Sequence, residues 1–141
     1  MQNSNFPSQR EFIVIVALMM ALVALAIDMM LPALPKIGQD LGVFNSNDNQ
    51  LIISFLFLGI AFGQLVYGPI SDSYGRKNSI YIGFTFFLIG CVVSLFSNSL
   101  FYMLLGRFIQ GFGLAGPRII SVALVRDRYL GEDMARIMSV V

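Results

Sequence analysis

Four apolar runs decide what this chain can fold into. They are Phe12 to Leu34, broken only by Asp28; Leu51 to Ser71 and Ser79 to Ser97, both without charge; and Leu100 to Val125, which carries Arg107 and Arg118. Each is close to the ~20 residues that an α-helix rising 1.5 Å per residue needs to cross about 30 Å of hydrocarbon. Transmembrane β-strands are half as long and alternate polar with apolar residues, which these runs do not. Lipid must therefore cover most of the chain. Of its 141 residues, 57% are hydrophobic and 12% charged, with a mean hydropathy of +0.78; a soluble domain holds about 45–50% apolar and ~25% charged residues. A chain this short cannot enclose so many apolar side chains behind a polar surface. The expected fold is an all-α membrane protein, a partial transmembrane domain over 1–141 with spans at 12–34, 51–71, 79–97 and 100–125 and the start of a fifth helix from about residue 132.

Composition also removes whole classes of function. Nine Lys or Arg against eight Asp or Glu leave a net charge of +1, so nucleic acid is not an expected partner. One cysteine, Cys91, and no histidine exclude an intrachain disulfide, a Cys/His zinc site and a His-ligated haem. No nucleophile and base pair presents itself, so neither enzyme activity nor a metal or cofactor is expected. Cys91, inside an apolar run, reads as a small packed hydrophobe. The first run lacks a small-residue cleavage site and continues into Leu31-Pro32-Ala33-Leu34-Pro35, so it reads as a retained span and not a signal peptide.

The connections differ in charge. Arg10 before the first run, Arg76 and Lys77 between the second and third, and Arg126, Arg128 and Arg136 after the fourth put six basic residues on one side of the membrane; the other side holds Lys36 alone. The positive-inside rule then places the N-terminus, the Asp72–Asn78 loop and the segment after Val125 in the cytoplasm, and Phe44–Gln50 outside, in a multi-pass inner-membrane protein. Gly131 to Val141 has acids in its first turn and an apolar run just beginning, which reads as the entry to a fifth span. A chain cut there is expected to need the missing C-terminal part of a longer protein, or another copy, as its partner.

An ionisable side chain at membrane depth costs at least ~2.5–3.5 kcal/mol on insertion scales and marks a functional site by default. Asp28 lies eight residues before Lys36, about 12 Å down the first helix, and Arg107 seven residues after Leu100, about 10 Å down the fourth from the same side. Charges of opposite sign at one depth are placed to pair across a shared cavity, where protonating the Asp releases the Arg; a static structural ion pair is the other reading. Gln64 and Gln110 either line that cavity or bond across helices. Met29 and Met30, with Met19 and Met20, suit an adaptable apolar pocket or plain core packing. Gly59, Gly63, Gly106, Gly111, Gly113 and Gly116 let helices approach closely, and Arg118 reads as an interfacial residue whose head reaches the membrane surface.

Between the second and third runs the chain reads Gly68-Pro69-Ile70-Ser71-Asp72-Ser73-Tyr74-Gly75-Arg76-Lys77. This resembles the signature of the major facilitator superfamily, in which Gly, an aliphatic residue, Asp, Gly, Arg and Lys recur at this spacing. Arg107-Phe108-Ile109-Gln110-Gly111-Phe112-Gly113 is similar to the fourth-helix motif of its proton-driven members. Asp28-Met29-Met30-Leu31-Pro32-Ala33-Leu34-Pro35 looks like the first-helix pattern of the Bcr/CflA-type drug-resistance branch. With Val125-Arg126-Asp127, the likeness extends over nearly the whole chain. It implies the N-terminal third of a twelve-helix transporter built from two six-helix halves. In such a protein Gly68, Asp72, Gly75, Arg76 and Lys77 form a latch between the halves, and Asp28 and Arg107 couple transport to protons. Gln64, Gln110, Met29 and Met30 are the candidates for its substrate cavity. A lipophilic small molecule leaves in exchange for protons, and the proton gradient supplies the energy with no cofactor.

Two rivals share the sequence. A facilitator of the same fold could import a sugar or metabolite. A four-helix membrane assembly protein would transport nothing, and would tolerate a neutral, well-packed pair in place of Asp28 and Arg107.

Overall fold

The computed structural model describes residues 9–42, 46–129 and 131–139, and among these the chain is helical almost throughout, with no strand. The first span is α1 (Gln9–Asp28), a tight 3-10 turn (Leu31–Ala33) and α2 (Leu34–Asp40). The break follows from Pro32 and Pro35, each of which starts a helical segment, where a missing N–H is harmless. The backbone stays bonded through it: Met29 N donates to Leu25 O at 3.0 Å and Leu34 N to Met30 O at 3.1 Å. The helical rod suited to crossing a membrane therefore runs from Arg10 to Asp40, beyond the Leu34 limit drawn from the apolar run.

The next spans are α3 (Ser46–Tyr74), α4 (Arg76–Leu95) and α5 (Leu100–Arg128). All three helices start or end outside their uncharged cores, because a helix need not stop where hydrocarbon does. Only the apolar core must match the bilayer. Pro69 and Pro117 lie inside α3 and α5. A short amphipathic helix, α6 (Gly131–Met138), carries Glu132 and Asp133 in its first turn and buries Ile137.

α5 is the centre of the bundle. Of its most apolar stretch 56% is buried by other helices, against 17% for α4. Glycine makes this possible by removing side chains from both contact faces. Gly59 and Gly63 of α3 lie against the backbone of Phe108 and Phe112, while Gly111 returns the contact at the Leu56 carbonyl. On the other face Gly83 and Gly90 of α4 meet Gly113 and Gln110. Rising residue numbers match along α3 and α5 and oppose along α4 and α5, so α5 runs parallel to α3 and antiparallel to α4. Close approach through small residues is how membrane helices gain dispersion contacts when lipid offers no hydrophobic drive to associate.

α1 has no glycine and joins through an apolar stripe of side chains. Phe12, Val16, Met19, Val23 and Met30 are buried at a near-heptad spacing that gives the first span one apolar stripe. That stripe meets Val125, Leu114 and Met103 in three successive clusters, antiparallel along α5. At its start the Arg128 guanidinium sits 4.7 Å from the centre of the Phe12 ring, a cation–π contact. Leu65, Leu88, Leu95 and Phe101 remain exposed on the outer faces, where a bilayer solvates them.

Candidate functional site

The helix break between α1 and α2 opens a cavity of about 640 Å³, bounded by the first span on one side and α4 and α5 on the other. That volume lies within the ~300–1,000 Å³ of small-molecule pockets. Its wall is almost wholly apolar: Leu18, Leu22, Leu25 and Phe87 line it, with Met29 at the rim, 72% exposed, and Met30 sunk in the wall at 5%. Two polar residues complete it, Arg107 and Gln110, which share a face of α5 because they are three residues apart. Arg107 Nη1 donates to Gln110 Oε1 at 2.7 Å, and Gln110 Nε2 in turn donates to Cys91 Sγ on α4 at 3.1 Å. Arg107 Nε is buried with no hydrogen-bond partner among the described residues. Met29, Met30 and Gln110, three of the four candidates for a substrate cavity, thus line one cavity with Arg107.

Asp28 is not among them. It is exposed, does not line the cavity, and the ion pair expected with Arg107 is not formed among the described residues. Matched depth along two helices says nothing about direction around them. At 3.6 residues per turn Asp28 sits roughly 140° round the helix from Val23, whose face packs on α5. The stability effects of Asp28→Ala and Arg107→Ala are therefore expected to add to within ~0.5 kcal/mol, as for independent sites. A double-mutant cycle in detergent with a coupling above ~1 kcal/mol would show that the two groups meet after all.

A second site forms at the α3–α4 turn. Gly75 is the one residue between the two helices and has φ +85°, a left-handed backbone that suits glycine. It delivers Arg76 into the first turn of α4, where the guanidinium joins three helices. Its Nη1 lies 3.1 Å from Asp72 Oδ1 and donates to Ser71 Oγ at 2.6 Å, and its Nε donates to Asp127 Oδ2 of α5 at 3.2 Å. Both carboxylates are exposed, so each pair contributes at most about 1 kcal/mol and the network orients the turn more than it stabilises the fold. Beside it lies a cavity of about 560 Å³ lined by Gln64, Gly68, Asp72, Arg76, Arg118 and Asp127, among others. Gln64 thus belongs to this end and not to the cavity with Met29 and Gln110: it lies two turns before Asp72, far along α3. Lys77 is exposed and joins no ion pair among the described residues.

Sequence reasoning missed Ser71 and Asp127 as partners of Arg76, Cys91 as partner of Gln110, and Arg118 as a cavity wall. Only Asp127 left a readable signal. It is an acid between Arg126 and Arg128 at the end of the fourth run, on the side of the membrane to which the charge count assigns Arg76.

The family profile described as Major Facilitator Superfamily matches residues 16–141. Among curated proteins the chain is similar to the Bicyclomycin resistance protein homolog of Haemophilus influenzae, 35% identical over 130 residues, 92% of this chain and 32% of the relative. It is 33% identical over 117 residues to Multidrug resistance protein MdtL of Klebsiella pneumoniae, covering 82% of this chain and 29% of that protein. Myo-inositol transporter 3A of Cryptococcus neoformans is 34% identical over 97 residues, 67% of this chain and 16% of the transporter. The chain thus spans about a third or less of the length of these relatives. No solved structure matches it.

Proposed function

Because the chain belongs to the major facilitator superfamily, whose members are transporters and not enzymes, we propose that it is the N-terminal part of a proton-coupled exporter of lipophilic small molecules. The observation that carries this reading is the cavity at the first-span break: drug-sized, apolar, and lined by two flexible thioethers and one guanidinium. The names of the two bacterial relatives, both of resistance proteins, support export of such molecules. A polyol such as the fungal relative's would leave its hydroxyls without partners against this wall, at ~1–3 kcal/mol each by protein mutational data, so the uptake reading is weaker.

In this proposal Asp28 carries the proton. It is the one carboxylate inside the first apolar run, and its exposure beside the helix break lets it reach a water-filled path between halves. Arg107 meets the substrate, and the Arg76 network with Asp72 and Asp127, flanked by Gly68, Gly75 and Lys77, holds the turn against the missing half. The rest of the transporter, the bilayer, protons and the substrate are its partners.

Two measurements test the reading. Expressed from its complete reading frame in a drug-sensitive bacterium, the protein should raise resistance to lipophilic drugs, and an uncoupler should abolish the gain; resistance equal to the empty-vector strain would overturn it. For orientation, the cytoplasmic turn and outer loop are read from six basic residues against one. With Cys91 first replaced by alanine, an impermeant thiol reagent added to intact cells should label Asn47→Cys and not Ser73→Cys. The reverse pattern refutes an N-terminus in the cytoplasm of an inner-membrane protein. Of the expected outer stretch, Phe44 and Asn45 lie outside the described residues.

A further inference from the structure

The cavity at the first-span break holds a single charged side chain, and it is a cation. No Asp or Glu lines it among the described residues, and Asp28, beside Met29 in the chain, is turned away. The polar groups nearby do not satisfy Arg107. Gln110 Oε1 accepts from Nη1, and the amide's Nε2 is occupied by Cys91 Sγ. That leaves Nε buried with no acceptor among the described residues, in a side chain that lines a wall otherwise made of hydrocarbon, thioether and Gln110. A donor out of water with no acceptor is destabilising, and a charged one more so, until something with lone pairs arrives. Gln110 fixes where that must be. By holding one arm of the planar guanidinium, and being held itself by Cys91, it pre-sets the orientation of the remaining N–H groups, whose fork geometry matches a carboxylate.

We propose that this cavity selects apolar molecules bearing an anionic group, a carboxylate in the simplest case, and discriminates against lipophilic cations. Arg107 is the specificity-determining residue and Gln110 a positioning residue that acts through it. The inference rests on reading this cavity as the substrate site and adds the charge of what it takes. An anion places its negative end on the incompletely partnered guanidinium and its apolar body among Leu22, Met29, Met30 and Phe87. A cation of the same shape meets a like charge, with no acid among the described lining residues to relieve it.

The test uses the purified 141-residue chain in micelles of a neutral detergent and three probes that share one dansyl body: dansylglycine, an anion; dansylglycinamide, neutral; and N-dansylethylenediamine, a cation. Binding is measured by equilibrium dialysis, with protein-free micelles subtracted. Dansylglycine is expected to bind at least tenfold more tightly than the cation. Arg107→Gln should weaken dansylglycine at least fivefold while moving the neutral amide less than twofold, and Arg107→Lys should keep the order of the three probes. Gln110→Leu should weaken dansylglycine in the same direction and by a larger factor than it changes the amide. The proposal is overturned if the cation binds as tightly as the anion. It is also overturned if Arg107→Gln leaves dansylglycine unchanged. The order of the probes on the unaltered chain decides the matter even where a variant fails to fold. If none of the three binds, the cavity is not a substrate site and the underlying reading falls with the proposal; binding with the wrong charge order removes the proposal alone.

Discussion

Replacing Gly111 with alanine should cost about 3 kcal/mol, the upper end of the range for overpacking a core, and replacing it with leucine should prevent the bundle from assembling. A Cβ at this position runs into the Leu56 carbonyl oxygen and comes within 3.1 Å of Ile60 N. Both obstacles are backbone atoms of α3, which no rotamer change can move. α3 would have to withdraw from α5 along its length, and the cluster of Val23, Leu56, Ile60 and Leu114 would open with it. Gly68→Ala is the control, since a Cβ there meets nothing within 4 Å; its stability should stay within ~0.5 kcal/mol of the parent or rise slightly from better helix propensity. Unfolding in mixed micelles followed by circular dichroism separates the cases. A Gly111→Ala midpoint equal to that of Gly68→Ala would mean that α3 and α5 are not interlocked here.

The second large effect is on transport. Asp28→Asn should lower proton-driven export at least tenfold, to the level of cells without the protein, because a fixed amide resembles the protonated acid and cannot release and regain a proton. Insertion and expression should not change, since Asp28 is exposed and, among the described residues, takes part in no ion pair whose loss would strand a charge. Asp28→Glu, which keeps a carboxyl, should recover part of the rate. Drug resistance at the parental level in cells carrying Asp28→Asn would remove Asp28 from the proton path.

These two residues also mark the border of what the sequence discloses. Hydrocarbon imposes a length and penalises charge, so the four spans were legible as long apolar runs, two without any charge and two interrupted only by Asp28 or by Arg107 and Arg118. The helix ends were less so, because Asp40 and Arg128 lie where lipid no longer dictates composition. Depth was legible for the same reason: it placed Asp28 and Arg107 at one level, yet of the two only Arg107 lines the cavity. Direction around the helix was not. It depends on which face of each helix its neighbour selects. For α1 that is the stripe through Val16, Val23 and Met30, which leaves Asp28 pointing away; for α3 the selection is by Gly59 and Gly63. Gln64 was misplaced for a simpler reason, distance along its own helix. The contact between Arg76 and Asp127 joins residues 51 positions apart, and only an arrangement of α3, α4 and α5 brings them to one end.

The glycine contacts give the cavity walls unequal stiffness. Where backbone rests on backbone, as α3 and α4 rest on α5, displacement is resisted along the whole interface, so Phe87, Arg107 and Gln110 stand on a block with little give. The opposite wall, with Leu18, Leu22, Met29 and Met30, belongs to a helix held by side chains and interrupted at two prolines. One side of the chamber is an anvil and the other a cushion. Molecules with successively bulkier bodies should then displace the first span outward while their polar ends stay registered on Arg107, so tolerance of size and strictness about charge arise from different helices and can be altered separately.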